Sequence, residues 1–464
     1  MKRELDYLTA RQPWKALLVF MLPIMIGNLF QKFYITVDSV IVGRMVGEDA
    51  LAAIGACNAL TNVFICVAIG GGVGASVIVG RNFGAHRYAD MKTAVSTAIL
   101  SFLALSLVMG ALGLFGSRLI LTVLGTPKKI LDEATAYLQI YFLGFPFLFL
   151  YNVLSAVFNS LGKSRIPLGF LIFSSLLNIG LDYFFVAVLG MGVRGVAWGT
   201  LIAQGLSAAL SFAVFLRVQK QISSERGQRF DGTAFKEMAR IALPSILQQS
   251  TITIGYLFVQ AVVNSFDTEV MAGFSAAMRV EGVCVTFMTS AAVAMSTFTA
   301  QNLGAGKPER VPQGLRAALT LGAAVSALVA VFLVGMPEGL ARIFLGDECS
   351  EAALTTAVQY MGFTGAFYML FAIKQAVDGV LRGSGDTLVF TIANLINLGI
   401  RVLVAVIMAP KRGVAWVAYA VPIGWAVNSV ISYWEYRTGR WKMSLNRKAS
   451  LSEGGAPKGR KEIG

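Results

Sequence analysis

The sequence predicts an all-α integral membrane protein, with twelve transmembrane helices arranged as two pseudo-symmetric six-helix bundles. Three observations carry this expectation. Of 464 residues, 56% are hydrophobic and only 14% charged, whereas a soluble globular chain runs near a quarter charged. Apolar stretches long enough to cross a bilayer core, about 20 residues each, follow one another from Leu17 to Trp434 and leave little room for a soluble domain. The sequence also repeats itself at a separation of about 220 residues.

Charged or Gly/Pro breaks between the apolar runs put the helix starts near residues 15, 50, 93, 134, 166, 193, 236, 270, 313, 353, 387 and 413. The expected organisation is an N-terminal segment (1–14), a first lobe (15–216), a linker (217–235), a second lobe (236–437) and a basic tail (438–464). Placing the N-terminus inside puts most of the 39 Lys and Arg on cytoplasmic segments. Both termini are therefore expected on the cytoplasmic face of a cell membrane. The first run, Leu17 to Gly43, is too long for a signal-peptide core and lacks a cleavage pattern, so it is expected to remain as a helix. The polar stretch from Arg217 to Arg240 reads as a linker and hinge. The tail after Tyr436 is basic and poor in apolar residues, which reads as disorder.

The repeat appears in three places in register. Leu51-Ala-Ala-Ile-Gly-Ala matches Met271-Ala-Gly-Phe-Ser-Ala, Arg81-Asn-Phe-Gly-Ala matches Gln301-Asn-Leu-Gly-Ala, and Leu177-Asn-Ile-Gly-Leu-Asp matches Ile396-Asn-Leu-Gly-Ile-Arg. Each half holds an even number of crossings, so both enter from the same side and are related by an axis along the membrane normal. Two bundles about a central cavity are the expected result. Pro23, Pro146 and Pro244 lie within apolar runs and are expected to kink or interrupt their helices.

Several function classes drop out. The net charge of +14 is spread over alternate connections and the tail, with no basic stripe interleaved with aromatics, so nucleic acid is not an expected partner. Cys57, Cys66, Cys284 and Cys349 have no metal-ligand spacing. Gly70-Gly-Gly-Val-Gly lies in an apolar helix without the preceding strand and lysine of a phosphate loop and reads as close helix packing. The only histidine, His86, cannot build a histidine-based site alone, and no protease, hydrolase or ATPase motif is present. The chain is not expected to be an enzyme or to hold a cofactor.

Ionisable groups within hydrocarbon are costly and mark function by default. The embedded set is Lys32, Asp38, Asp182, Arg279, Glu281, Lys374, Asp378 and Arg401. Gln31, Tyr34 and Asp38 share a face of the first helix, and Asn178 and Asp182 stack four residues apart on the fifth. These oxygens suit a shuttled proton or a sodium ion. Position 182 corresponds to Arg401 in the second half, and Asp38 to an apolar position near Val259, so the acid pocket belongs to the first half alone. Lys374 and Asp378, four apart, are expected to pair, and Arg279 and Glu281, two apart, need partners elsewhere. Lys32 lies about 120° from Asp38 and is not expected to share its ion. Aromatics such as Phe158, and methionines such as Met288, are candidates for a greasy cavity lining, although packing is their commoner use.

From Pro23 to Trp434 the chain resembles the multidrug and toxic compound extrusion family, proton-linked bacterial branch. The residues that carry the resemblance are Tyr34-x3-Asp38-Ser-x-x-Val-Gly, the Leu51-Ala-Ala-x-Gly start of the second span, Asn-x-Gly-Ala in both halves, Leu177-Asn-Ile-Gly-Leu-Asp182 and Leu381-Arg-Gly-Ser-Gly-Asp386. The resemblance implies a V-shaped pair of lobes and secondary antiport of amphipathic, mostly cationic compounds against H+ or Na+. It implies that Asp38, Asn178, Asp182 and Thr200 form the coupling site. Family members that place sodium in the second lobe use acids on spans seven and ten; here Gln248 and Gln249, and Phe371, stand near those places.

The expected function is export of organic cations and amphipathic drugs by alternating access, by a monomer. The expected substrate-cavity residues are Gln31, Tyr34, Asp38, Phe158, Arg279, Glu281 and Met288, and Asp38, Asn178, Asp182 and Thr200 are the expected proton or Na+ ligands. The alternative is a flippase of lipid-linked oligosaccharide or another lipid precursor.

Overall fold

The computed structural model describes residues 6–442. The first lobe is built from α2 (Pro13–Met45), α3 (Glu48–Gly84), α4 (Tyr88–Val123), α5 (Lys128–Leu143), α6 (Phe145–Ser160), α7 (Arg165–Tyr183) and α8 (Gly192–Ile222), preceded by a single turn, α1 (Tyr7–Ala10). The second comprises α9 (Gly232–Val263), α10 (Thr268–Gly304), α11 (Arg310–Gly335), α12 (Pro337–Leu345), α13 (Glu351–Ala366), α14 (Tyr368–Ser384), α15 (Thr387–Arg412) and α16 (Ala415–Thr438). Among the described residues, ten helices are long and apolar enough to cross a membrane, and two bent pairs raise the number to twelve. The basic tail lies outside the described residues from position 443 onward.

The bent pairs are α5–α6, turned by 49°, and α13–α14, turned by 54°. Their breaks, at Gly144 and Phe367, are themselves about 220 residues apart, a fourth register of the repeat. Pro146 explains the first: at the start of α6 it has no N–H to continue the ladder. The second has no proline. At both breaks the backbone shifts to three-residue spacing, Gly144 N to Tyr141 O and Phe147 N to Gly144 O at 3.0 Å, Phe367 N to Thr364 O at 3.1 Å and Leu370 N to Phe367 O at 2.9 Å. Pro23 and Pro244, expected to kink or interrupt their helices, lie inside the continuous helices α2 and α9. The nine-residue α12 was not anticipated; Pro337 ends α11 and starts a helix too short to span.

Each lobe has its own aromatic core, Phe142, Phe145 and Phe149 in the first and Phe274, Tyr360, Tyr368 and Trp425 in the second. A third cluster joins them, where Phe20 of α2 meets Phe298 of α10 with Leu8 and Trp441. The lobes are closed against each other toward the face that carries the N-terminus. Gly84 of α3 lies against the Gln301 carbonyl of α10, and Gly304 of α10 lies against the Arg81 carbonyl of α3. This contact is reciprocal, made by the two copies of the Asn-x-Gly repeat. Around it the Arg81 guanidinium donates to Ser384 O at 2.9 Å, and Gln301 Nε2 to Ser160 O at 2.7 Å. The N-terminal turn straps the same face: Tyr7 donates to Gly162 O at 2.9 Å, while Asn302 Nδ2 donates to Leu8 O at 3.2 Å and Lys307 Nζ to Thr9 O at 3.1 Å.

The interlobe connection is less free than its composition suggests. Residues 223–231 lie along α4, where Lys92 Nζ donates to Ser223 O at 2.6 Å and Glu225 O at 2.8 Å. Gln228 N and Asp231 N donate to the Thr93 and Thr97 hydroxyls at 2.9 and 3.0 Å. Asp231 then caps α9, accepting from Ala234 N at 2.8 Å. A segment read as a hinge is thus anchored to the first lobe.

Candidate functional site

Helix α2 presents two polar faces. Tyr34 and Asp38 share the face on which Gly27 packs against Leu168 and Leu171 of α7, so that face looks into the first lobe. Asn28, Lys32 and Ile35, at spacings of four and seven, form another face about a quarter-turn away, and Gln31 lies between the two.

On the lobe side, Asp182 of α7 is fully buried, and neither of its oxygens has a hydrogen-bond donor among the described residues; Asp38 Oδ1 is likewise without one. The Asp38 and Asp182 side chains lie beside each other, with Asn178 close by but not hydrogen-bonded to Asp182. Asn178 Nδ2 donates to Thr200 Oγ1 of α8 at 3.4 Å. Gly199 makes room for this arrangement, since a Cβ there would collide with Asp182 Oδ1. Just past Asp182 the helix runs into a π-helical turn, Phe184–Val188, a distortion often found beside functional groups. Tyr34, Tyr137 and Tyr151 surround the acids, with Tyr137 stacked on Tyr141. Two neighbouring carboxyl groups can share a proton or hold a cation between them.

The cavity side opens between the lobes, away from the closed face. It has a volume of about 510 Å³ and is lined by Asn28, Gln31, Lys32 and Ile35 of α2, Tyr256 of α9, and Met278, Gly282, Val285, Thr286 and Thr289 of α10. Below it the lobes are tied by Asn28 Nδ2 donating to Ser290 Oγ at 3.2 Å.

With this geometry in hand, comparison with known proteins decides the family. The MatE family model matches residues 23–184 and again 244–407, so the two matches fall one on each lobe. The chain belongs to the MatE family. It is similar to a probable multidrug resistance protein, YpnP, of Bacillus subtilis, at 29% identity over 92% of this chain and 96% of that one. It is also similar to an FAD transporter of Shewanella oneidensis, at 27% identity over 72% and 75%. A solved multidrug resistance MATE transporter of the MOP superfamily superposes with a TM-score of 0.85 at 21% identity, over 95% of this chain and 98% of that one, which shows the shared fold. The protein is therefore a multi-pass membrane transporter of the MatE family and not an enzyme.

Within this MatE protein the expected residues fall into three places. Asp38, Asn178, Asp182 and Thr200 come together, with Tyr34 beside them. Gln31 lies on the cavity wall. The others do not line it. Phe158 and Met288 are each 1% exposed, in the cores of the first and second lobes respectively, Phe158 edge-on to Phe215. Glu281 is buried, accepting from the Tyr360 hydroxyl at 2.7 Å, and Arg279 is exposed on the neighbouring face of α10.

Lys374, Asp378 and Arg401 of the second lobe lie away from this cavity wall. Lys374 and Asp378 form a buried pair at 2.9 Å, and Ser432 donates to Asp378 Oδ1 at 2.7 Å. The Arg401 guanidinium lies 5.5 Å from the centre of the Tyr256 ring. Phe371 packs on Trp425 at 4.8 Å, and Gln248 is buried. Among the described residues no cluster of three His, Cys, Asp or Glu could hold a metal ion. Sequence reasoning missed the cavity face of α2 and its counterpart Thr286–Thr289. The four-residue step from Asn28 to Lys32 was the available signal.

Proposed function

We propose that this MatE transporter is a secondary antiporter that exports amphipathic organic compounds, drugs among them, in exchange for H+ or Na+. The coupling ion loads at Asp38, Asn178, Asp182 and Thr200. The observation that carries this reading is Asp182, fully buried beside a second carboxyl group with no donor of its own. Such a pair can share a proton or hold a small cation, and gaining or losing it changes the net charge beside the cavity. The names of the relatives as multidrug resistance proteins support the substrate class.

With the N-terminus in the cytoplasm, as the distribution of Lys and Arg favours, the closed face is cytoplasmic and the cavity opens outward. A proton or sodium ion enters, the carboxylates lose their charge, substrate leaves, and the lobes exchange which end is closed. The acid pocket and its surroundings favour the proton-linked form, because a protonated carboxyl supplies the missing donor between Asp38 and Asp182. At a driving force of about 180 mV one charge supplies about 4 kcal/mol, enough for roughly a thousand-fold substrate gradient.

The test is efflux of ethidium from proteoliposomes under separately imposed pH and sodium gradients. One gradient drives efflux, and Asp38→Asn abolishes the coupled component while the protein still inserts and purifies. Wild-type rates from Asp38→Asn would remove the acid pocket from the mechanism.

A further inference from the structure

The substrate cavity has a charge of its own, and its sign is positive. Of the side chains that line it, only Lys32 is a basic or acidic residue. Its ammonium reaches toward the opposite lobe, where a Cβ on Gly282 would stand 3.3 Å from Nζ. Among the described residues it has no ion-pair or hydrogen-bond partner. Elsewhere in the second lobe the buried Lys374 is paired with Asp378, and the Arg401 guanidinium lies over the Tyr256 ring. Arg279, one turn from Gly282 and exposed, adds a second cation near the cavity.

No carboxylate offsets this. Asp38 lies about 9 Å farther along α2 and faces the first lobe. Asp182 is fully buried there, and Glu281 is turned into the second lobe on Tyr360. A cation kept unpaired at the middle of a membrane protein is costly and is retained for a ligand or a pathway. Around it stand neutral polar groups, Gln31, Asn28 and Thr286, and an apolar wall including Met278 and Val285, in a volume that suits a drug-sized molecule.

We propose that the cavity selects amphipathic compounds that carry an anionic group, a carboxylate, sulfonate or phosphate, seated on the Lys32 ammonium. This rests on the transport reading and narrows its substrate class. The apolar body of the ligand lies against Met278 and Val285, and any cationic group on the same molecule is directed away from Lys32. A compound bearing only positive charge meets an uncompensated ammonium and binds less well.

The test uses two dyes with the same cationic xanthene core, rhodamine B, which has a free carboxylate, and its ethyl ester, which has none. Their equilibrium binding to the purified full-length protein is read by fluorescence anisotropy. The wild type is expected to bind the free acid at least about tenfold more tightly than the ester. Lys32→Gln makes the two equal, and Lys32→Arg restores the preference. Equal or tighter binding of the ester by the wild type, binding of neither dye, or a preference that survives Lys32→Gln would each overturn the proposal. Because binding at equilibrium needs no gradient, these outcomes are separate from a failure of coupled efflux.

Discussion

The closed face depends on two glycines, and adding a single methyl group to either should shift the balance between the transporter's two openings. In Gly84→Ala the new Cβ would stand 2.8 Å from the carbonyl carbon and 2.9 Å from the Cα of Gln301; in Gly304→Ala it would stand 2.8 and 3.0 Å from the same atoms of Arg81. These are backbone atoms within helices, so no rotamer change relieves the overlap. The helices must separate by close to 1 Å to reach ordinary contact. Overpacking of this kind costs about 1–3 kcal/mol. The cost applies only while this face is shut, so the population closed there falls roughly five- to 150-fold relative to the opposite state. Spin labels on cysteines at Asp49 and Glu269, in the first turns of α3 and α10 at the open end, report the change by double electron–electron resonance in a background lacking the native cysteines. The label-to-label distance should shorten for both variants, to a similar degree because the contact is reciprocal. An unchanged distance distribution in both would refute the idea that this contact holds the lobes closed.

Two further outcomes follow from the charges. Burial and the neighbouring Glu435 raise the Asp386 carboxyl, between α14 and α15, to about 6. Its protonated form is favoured in the folded protein, so its stabilising contribution is complete below about pH 4 and is lost as pH rises through 6; in thermal unfolding scans from pH 4 to 7, Asp386→Asn should show a flatter profile than wild type. Lys374→Ala leaves Asp378 buried without its cation and should cost about 3–5 kcal/mol, read as a lowered unfolding midpoint that Lys374→Ala with Asp378→Asn largely restores.

Much of the architecture was legible because hydrocarbon imposes simple rules. Apolar runs of sufficient length, separated by charged or Gly/Pro breaks, located the start of each span to within six residues. The Asn-x-Gly repeat disclosed two equivalent halves, and the four-residue step from Asn178 to Asp182 placed an amide and an acid together. What sequence could not supply was which way a helix turns. Phe158 and Met288 have the chemistry of a cavity wall, but each is on the core side of its helix. Lys32 does not share the face of Asp38, and the face that it does occupy lines the cavity. The interlobe segment shows the same limit: its polar composition is that of a flexible linker, and only the distant Lys92, Thr93 and Thr97 reveal that it is held.

The paired breaks at Gly144 and Phe367 carry a mechanical consequence. A straight membrane helix resists bending because opening its ladder strands amides where no water can reach them. In α5–α6 and α13–α14 that ladder has already changed pitch, and the amides flanking each break have shorter-range acceptors. One span in every half can therefore alter its angle as a jointed rod does, with no bare amide left facing lipid. Rearrangement within each half then needs no give from the anchored strand that connects them.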